Sequence, residues 1–497
     1  MTNMFRNKIS VSFLLAVQIS LWFIPETASL VAPSMQKHRY HNATLDNMHG
    51  AVHKNATSSS SSTHRSLRKT LSKASPATEQ QKSYIVLVND QVVVSDFVAA
   101  LKQSWESDNA ASLNENQIGY IYQEIGFDGF SAKLDDEAFK SLSQDARVQE
   151  IIPDTTVSVH PIDEALEDAL TLTGLEAKPE QDKPTVSAEA ASTHYSQKGT
   201  APWGLQRIDQ RRQITNSGAN SAAVNYDYLY ASPAGEGVIV YILDTGARET
   251  HSDFGGRVKL VAQFGGYEMK DGNGHGTHCA GTVAGTRWGV AKKAKVKAVK
   301  VLADDGSGST SDVIAGVQYA MQQYKASGNQ PSVVSLSLGG DKNSALDRAV
   351  QAAITRGLHF AVAAGNSNTD ACLSSPASVS AANVVTASDI KDTRASYASW
   401  GTCVDVIAPG TDVTSAWFSA DDATKRLSGT SMATPHVAGL IAAHLSFQNY
   451  TPQQMSDKLK QDATQNAIYL GAAKSDPTTT PNLLIISSVK LPDNEPH

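Results

Sequence analysis

Val238-Ile239-Val240-Tyr241-Ile242-Leu243-Asp244-Thr245-Gly246 is an apolar run with no polar face, closed by a carboxylate, a hydroxyl and a glycine. A strand that covers one side of a sheet alternates apolar and polar residues. A strand that does not alternate is buried on both sides, which is the habit of parallel sheets. Similar runs recur at 296–302, 333–338, 360–364, 384–387 and 404–408. Helical spacing fills the intervals. One helix starts at Ser311 and carries Val313, Ile314, Val317 and Met321 on a face; another starts at Ser344, with Gly357 just past its end. From about Ala201 onward the pattern is therefore that of an α/β domain with a mostly parallel sheet. Sites in such sheets lie at the carboxyl ends of strands, and Asp244 stands at one.

Upstream the character of the chain changes. Residues 83–160 read as β-α-β-β-α-β, a ferredoxin-like order that says little about function. Its strands are expected at 84–88, 118–125, 130–134 and 148–152. Its first helix is capped by Ser95 and carries Phe97, Val98, Leu101 and Trp105; its second covers 135–142, with Phe139 and Leu142 on one face. Residues 33–82 hold the serine run 58–62 and the glycosylation triplets Asn42-Ala43-Thr44 and Asn55-Ala56-Thr57, the composition of an exposed pro-segment. Residues 161–199, acidic at Asp163, Glu164, Glu167, Asp168 and Glu176 and then rich in proline and alanine, read as a linker and cleavage region with a brief helix over 162–172. At the start, Arg6 and Lys8 precede an apolar run at 11–24 and the small residues Ala28, Ser29 and Ala32. That is the order of a secretory signal over 1–32, and the run, broken by Gln18 and Ser20, is short for a membrane anchor.

The whole chain has 497 residues, 18% charged and 41% apolar, with a formal net charge of −7. Its length suits two or three domains of about 150 residues. Acids and bases are interspersed, which argues against the concentrated basic face of a nucleic-acid binder.

Two denser motifs carry chemistry. Gly274-His275-Gly276-Thr277-His278-Cys279-Ala280-Gly281 places an imidazole among small residues at the start of a helix. A lone histidine is usually structural or solvated, but one crowded by glycines suits catalysis. His278 is expected behind it, and Cys279 one helical step beneath it as a small buried thiol. Gly429-Thr430-Ser431-Met432-Ala433-Thr434-Pro435-His436-Val437-Ala438-Gly439 opens a second helix. There the Ser431 N–H and the positive helix end point at the reaction centre, and Pro435 is expected in the first turn, where no internal donor is needed. A capping serine would not require such neighbours. Asp-Thr-Gly also marks aspartic proteases, but those are all-β and usually carry the motif twice.

Asp-Thr-Gly, Gly-His-Gly-Thr-His-Cys and Gly-Thr-Ser-Met-Ala-Thr-Pro-His, in the chain order Asp, His, Ser, resemble the subtilisin family of serine proteases. Ala201-Pro202-Trp203-Gly204-Leu205 is similar to the mature start of its proteinase K-like branch. The likeness runs from Ala201 to about Ile485. It implies a three-layer subtilisin-like catalytic domain over 200–497, with 83–160 as an inhibitory propeptide. Ser431 would be the nucleophile, His275 the general base and Asp244 its orienting partner, with Asn366 in the oxyanion hole. Gly306-Ser307-Gly308 and Ser337-Leu338-Gly339 would pair with an extended substrate. Ala363, Ala364 and Gly365 would wall a pocket for aromatic or bulky aliphatic side chains; a kexin-like enzyme would want acidic residues there. Thr310 stands where the branch tends to have a larger residue near the outer pocket.

The resemblance also implies a disulfide between Cys372 and Cys403, with Cys279 free. It implies no cofactor for catalysis but a structural calcium on Asp405 with the carbonyls of Ser380 and Ala382, and the family's proline is here Ser380. The alternative is that Asp405 pairs with a local base or a backbone amide. A secreted monomeric endopeptidase of broad specificity follows, with protein substrates, its own propeptide as inhibitor, and no nucleic-acid or membrane partner once the signal is removed. The first cut falls near His160 or near Tyr195-Ser196, and glycans could sit on the triplets and on Asn449.

Overall fold

The computed structural model describes residues 81–107, 116–159, 194–215, 219–471 and 479–487. All belong to the compact unit Pro76–His497. The secretory signal, the serine-rich stretch with Asn42 and Asn55, the expected helix at 162–172 and most of the linker lie outside the described residues.

The N-terminal part has the expected order. Strands β1 (Lys82–Val88), β2 (Gln117–Tyr122), β3 (Asp128–Leu134) and β4 (Val148–Pro153) alternate with helices α1 (Val94–Ser107) and α2 (Asp136–Gln144). They form an antiparallel sheet ordered β2-β3-β1-β4. The Asp135 side chain caps α2 by accepting from the Ala138 N–H. The first helix begins one residue before Ser95, whose hydroxyl reaches only the carboxylate of Asp96. A short fifth strand, β5 (Thr156–Ser158), leaves this sheet.

The larger part opens with β6 (His194–Ala201), which pairs antiparallel with β7 (Tyr226–Ala231). Residues 194–199, read as linker, are therefore a strand; their polar sequence His-Tyr-Ser-Gln-Lys-Gly hid it. The central sheet then assembles β8 (Ile239–Asp244), β9 (Val258–Gln263), β10 (Lys295–Lys300), β12 (Ser332–Leu336), β14 (His359–Ala363), β16 (Asn383–Ser388) and β17 (Val406–Pro409). Their order is β9-β10-β8-β12-β14-β16-β17, all parallel, and the short strands Leu483–Leu484 (parallel) and Thr464–Gln465 (antiparallel) continue the sheet beyond β17. Two short strands between them, β11 (Ser307–Ser309) and β13 (Gly339–Asp341), stand outside this sheet.

The lack of alternation in β8 is explained by its two covered faces. Val240 and Ile242 join the core under the helices His275–Ala284 and Thr430–Leu445, with Val283, Val437 and Ile441. Ile239, Tyr241 and Leu243 join the core under the helices Thr310–Ala326 and Ser344–Thr355, with Val313, Val317, Leu346 and Val350. That second core continues into the N-terminal part through Ile85, Leu87, Tyr122 and Ile152. The alternate residues of β1, Val86 and Val88, face α1 and α2 instead. One sheet thus packs its own helices on one face and the neighbouring domain's helices on the other, each large apolar side chain so buried contributing about 1.5–3 kcal/mol.

Candidate active site

The carboxyl end of β8 delivers Asp244, which is fully buried. Its carboxylate accepts from the Thr245 N–H at 2.7 Å and meets His275 Nδ1 at 2.8 and 3.0 Å through its two oxygens. His275 is the first residue of its helix. The next residue, Gly276, lies against the Asp244–Gly246 turn so closely that a Cβ would come 2.1 Å from the Gly246 carbonyl oxygen. Only glycine lets the helix approach the strand end this far.

The first turn of this helix has no capping side chain on its N-cap, Gly274, and its amides are met from elsewhere. His275 N–H donates to Asn273 Oδ1 at 3.1 Å, Gly276 N–H to Thr245 Oγ1 at 3.0 Å and Thr277 N–H to Asp271 Oδ2 at 3.0 Å. Asp271 also accepts from Thr245 Oγ1, Asn273 N, Gly274 N and Thr277 Oγ1. This one carboxylate ties the loop that carries Asp244 to the helix that carries His275. Sequence reasoning passed over it, although it lies four residues before the histidine.

Ser431 lies in the first turn of the helix Thr430–Leu445. Its hydroxyl donates to the Ser337 carbonyl at 3.0 Å, and the Ser337 hydroxyl donates back to the Ser431 carbonyl at 3.0 Å. The structure thus turns Ser431 Oγ toward Ser337 rather than toward the imidazole. Cys279 joins the two helices: its sulfur lies 3.9 Å from His275 Nδ1 and donates to the Ser431 carbonyl at 3.6 Å. It is a buried free thiol, as expected.

Pro435 departs from expectation. It lies beyond the first turn, where it deprives the Ser431 carbonyl of an i→i−4 donor. Ser337 and Cys279 supply the missing bonds.

Asn366 follows β14 and accepts with Oδ1 from both the Thr430 N–H and the Thr430 hydroxyl at 2.9 Å. These contacts fix the amide's orientation and put its donor end, Nδ2, on the other side. Ala363 and Ala364 are buried at the end of the same strand, and the Gly365 N–H donates to Thr430 Oγ1.

The electrostatics follow from burial. Desolvation alone would lower the pKa of His275, but the adjoining carboxylate of Asp244 overcomes it and holds the imidazole above its ordinary range. Burial pushes the Cys279 thiol up, so it is neutral at ordinary pH and leaves Asp244 as the charge that acts on the histidine. His278, buried behind His275, is pushed down to about 3 by burial and by the neighbouring His275. It stays neutral and bonds through Nε2 with the carbonyls of Val413 and Lys425.

The segments Gly306-Ser307-Gly308 and Ser337-Leu338-Gly339 flank a groove, and β5 lies in it. Ser158 is paired with both Ser307 and Gly339, Val157 with Gly308 and Gly340, and Thr156 with Ser309. The Val159 N–H donates to the Gly306 carbonyl at 3.0 Å. Gly306 has φ 84°, and a Cβ there would come 2.7 Å from the Val159 side chain. β11 and β13 thus flank β5 on both sides; pairing reaches Ser309 and Gly340, and of the expected Ser337, Leu338 and Gly339 only Gly339 is paired with β5. Thr310 is buried, and its backbone and hydroxyl both donate to the Thr155 carbonyl.

Cys372 and Cys403 form a disulfide. The calcium expected on Asp405 finds no suitable donor set. Asp405 Oδ1 pairs with Lys460 Nζ at 2.6 Å and Oδ2 accepts from the Val384 N–H at 2.9 Å. A hard cation needs free oxygen ligands, and an ammonium already sits on the only carboxylate that Asp405, Ser380 and Ala382 could offer.

Comparisons with known proteins bear on the family of the chain. The Subtilase family profile matches residues 235–483, and that of Peptidase inhibitor I9 matches residues 35–160. The subtilisin-like proteinase Spm1 of Pyricularia oryzae is 40% identical over 72% of this chain and 65% of its own length. Cerevisin of Saccharomyces cerevisiae is 46% identical over 59% of this chain and 48% of its own length. The chain thus spans less than two thirds of these relatives. The subtilisin-like serine protease Cur l 4.0101 of Cochliobolus lunatus is 39% identical over 74% of this chain and 69% of its own length. A crystal structure of a cold-adapted subtilisin-like serine proteinase is 43% identical, with a TM-score of 0.50, over 59% of this chain and all of its own. With its Asp244, His275 and Ser431 constellation and an I9-type domain ahead of it, the chain belongs to the subtilase family.

Proposed function

We propose that this protein is a secreted serine endopeptidase of broad specificity, made as a zymogen that processes itself. The observation that carries the reading is β5, an extended segment paired on both sides with the strands that flank the groove. A substrate would replace β5 and take the same backbone pairing, which is indifferent to sequence. Ser431 Oγ then swings from the Ser337 carbonyl to His275 Nε2 and attacks the peptide carbonyl. His275, held through Nδ1 by Asp244, takes the hydroxyl proton and returns it to the leaving amine. Asn366 Nδ2 and the Ser431 N–H hold the oxyanion, and water repeats the sequence on the acyl-enzyme. No cofactor takes part.

The small walls Ala363, Ala364 and Gly365 favour aromatic or bulky aliphatic residues before the cut. The buried alanines offer no charge for the basic substrates of a kexin-like enzyme. The first cut follows the N-terminal domain near His160, and later trimming removes the linker. The Tyr195–Ser196 bond is less suited to the first cut, because these β6 residues are paired with Tyr230 and Leu229 of β7. Secretion rests on the signal-like start and a glycan site on the exposed Asn449. No described helix is long and apolar enough to cross a membrane. We assign no nucleic-acid partner and a monomeric state.

The test is hydrolysis of a series of chromogenic peptides by the secreted protein and by Ser431→Ala, with and without a serine-reactive phosphonate. Activity on aromatic and aliphatic peptides that vanishes in the variant and under the phosphonate supports the reading, and activity that survives Ser431→Ala overturns it. Timed N-terminal sequencing decides the processing order: if residues 83–195 leave as one piece with no intermediate, the proposed first cut is wrong.

A further inference from the structure

Asp405 is a nearly buried carboxylate, its side chain 13% exposed, next to the start of β17. Such a group needs a compensating charge. Its two oxygens are satisfied by different elements: Val384 N–H of β16 on Oδ2 and Lys460 Nζ, at 2.6 Å, on Oδ1. Lys460 lies in the last turn of the helix Pro452–Asp462, the end of a helix dipole that favours a cation. Its side chain is 38% exposed, so the ammonium keeps water on its outer side while it caps the carboxylate. Met455 and Leu459 of the same helix are buried in the core beneath, so the helix that carries the lysine is seated independently of the ion pair.

We propose that Lys460 is a built-in cation that takes the place of a bound metal ion at Asp405, so that the stability of this domain does not depend on calcium there. An ammonium is covalently attached and cannot be chelated or diluted away, and it repels a divalent ion from the same oxygen. The exposed Ser380, at which the expected ligand loop departs from the family pattern, is consistent with a loop released from holding a metal.

The experiment is thermal unfolding of the full chain in the Ser431→Ala background, with millimolar calcium or with a chelator. Calcium is expected to leave the midpoint nearly unchanged in the parent chain. In Lys460→Met it should raise a lowered midpoint by several degrees, and this gain should vanish in Lys460→Met/Asp405→Asn. Lys460→Arg, which keeps the charge, should behave like the parent. The proposal is overturned if calcium shifts the parent and Lys460→Met equally, including not at all. It is also overturned if a calcium gain in the parent is abolished by Asp405→Asn, which would mean that the ion binds the carboxylate despite the lysine. The readout is stability alone, so this proposal can fail while the peptidase reading stands, and the reverse.

Discussion

Among single residues, Asp244, His275 and Ser431 were singled out in the sequence because each is announced by its immediate neighbours, and the structure joins the first two. Asp271 was not, because an acid in a glycine-rich loop is most often solvated; its function appears only when its donors are counted in space. Asp271→Asn would turn an acceptor into a donor facing backbone N–H groups. A small displacement of the imidazole should then lower kcat roughly 100-fold with little change in KM, which steady-state kinetics would measure. The electrostatics predict a pH effect with a definite sign. Only the neutral imidazole is a base, so activity rises with pH through the titration of His275, and Asp244 holds that titration high. Asp244→Asn should therefore move the acid limb of the kcat/KM profile to lower pH and cut turnover by about 10⁴. A limb that stays in place would remove Asp244 from this role. Replacing Asn366 by leucine should cost roughly 100- to 1,000-fold in kcat, a figure drawn from subtilisin, a relative of this chain. At Asp405 the alternative of a base and a backbone amide holds, but the base itself was not legible: Lys460 is distant in sequence and belongs to an exposed amphipathic helix that gives no sign of where it docks.

At the level of elements, the core strands of the parallel sheet were readable within a residue or two because burial on both faces leaves an unbroken apolar run. The strands that escaped notice are those at the margins. In β9, an edge strand, Lys259 is exposed and the residues after it are half-buried, so the apolar run is weak, and β6 is built largely from polar residues. The helix of Ser431 offers a test of how an element is completed from outside. Pro435 leaves the Ser431 carbonyl to Ser337 and Cys279. Ser337→Ala should therefore destabilise the protein by about 1–3 kcal/mol, the cost of a buried acceptor losing its main donor. In Ser337→Ala/Pro435→Ala a helix N–H can return, and much of that loss should be recovered. Denaturant unfolding in the Ser431→Ala background, which prevents self-digestion, closes the cycle, and strict additivity would show that the two sites are uncoupled.

At the scale of the described domains, the N-terminal one is held on the larger one by both apolar and polar contacts. Tyr120 donates to Asp312 at 2.8 Å and accepts from the Gly265 N–H, while Asp154 bonds the N–H and hydroxyl of Ser311 at the start of a helix. Tyr120→Phe removes a bond to a buried carboxylate, worth roughly 1.5–3 kcal/mol, so latent activity should appear about 10- to 100-fold sooner after cleavage in a time course of peptide hydrolysis. The Cys372–Cys403 bridge closes a loop with a sequence separation of 31, and its loss in Cys372→Ser/Cys403→Ser should cost about 3 to 4 kcal/mol by the loop-entropy account. Finally, β5 is paired between β11 and β13 while β6 is paired with β7, and residues 160–193 separate the two strands in the sequence. On the proposed processing, a cut between the two strands leaves β6 paired with β7 as it is and changes only concentration. Before the cut the inhibitor is presented to its own groove at an effective molarity on the order of millimolar, whatever the amount of protein. Afterwards it is a ligand like any other, and the enzyme's silence becomes something that dilution can end.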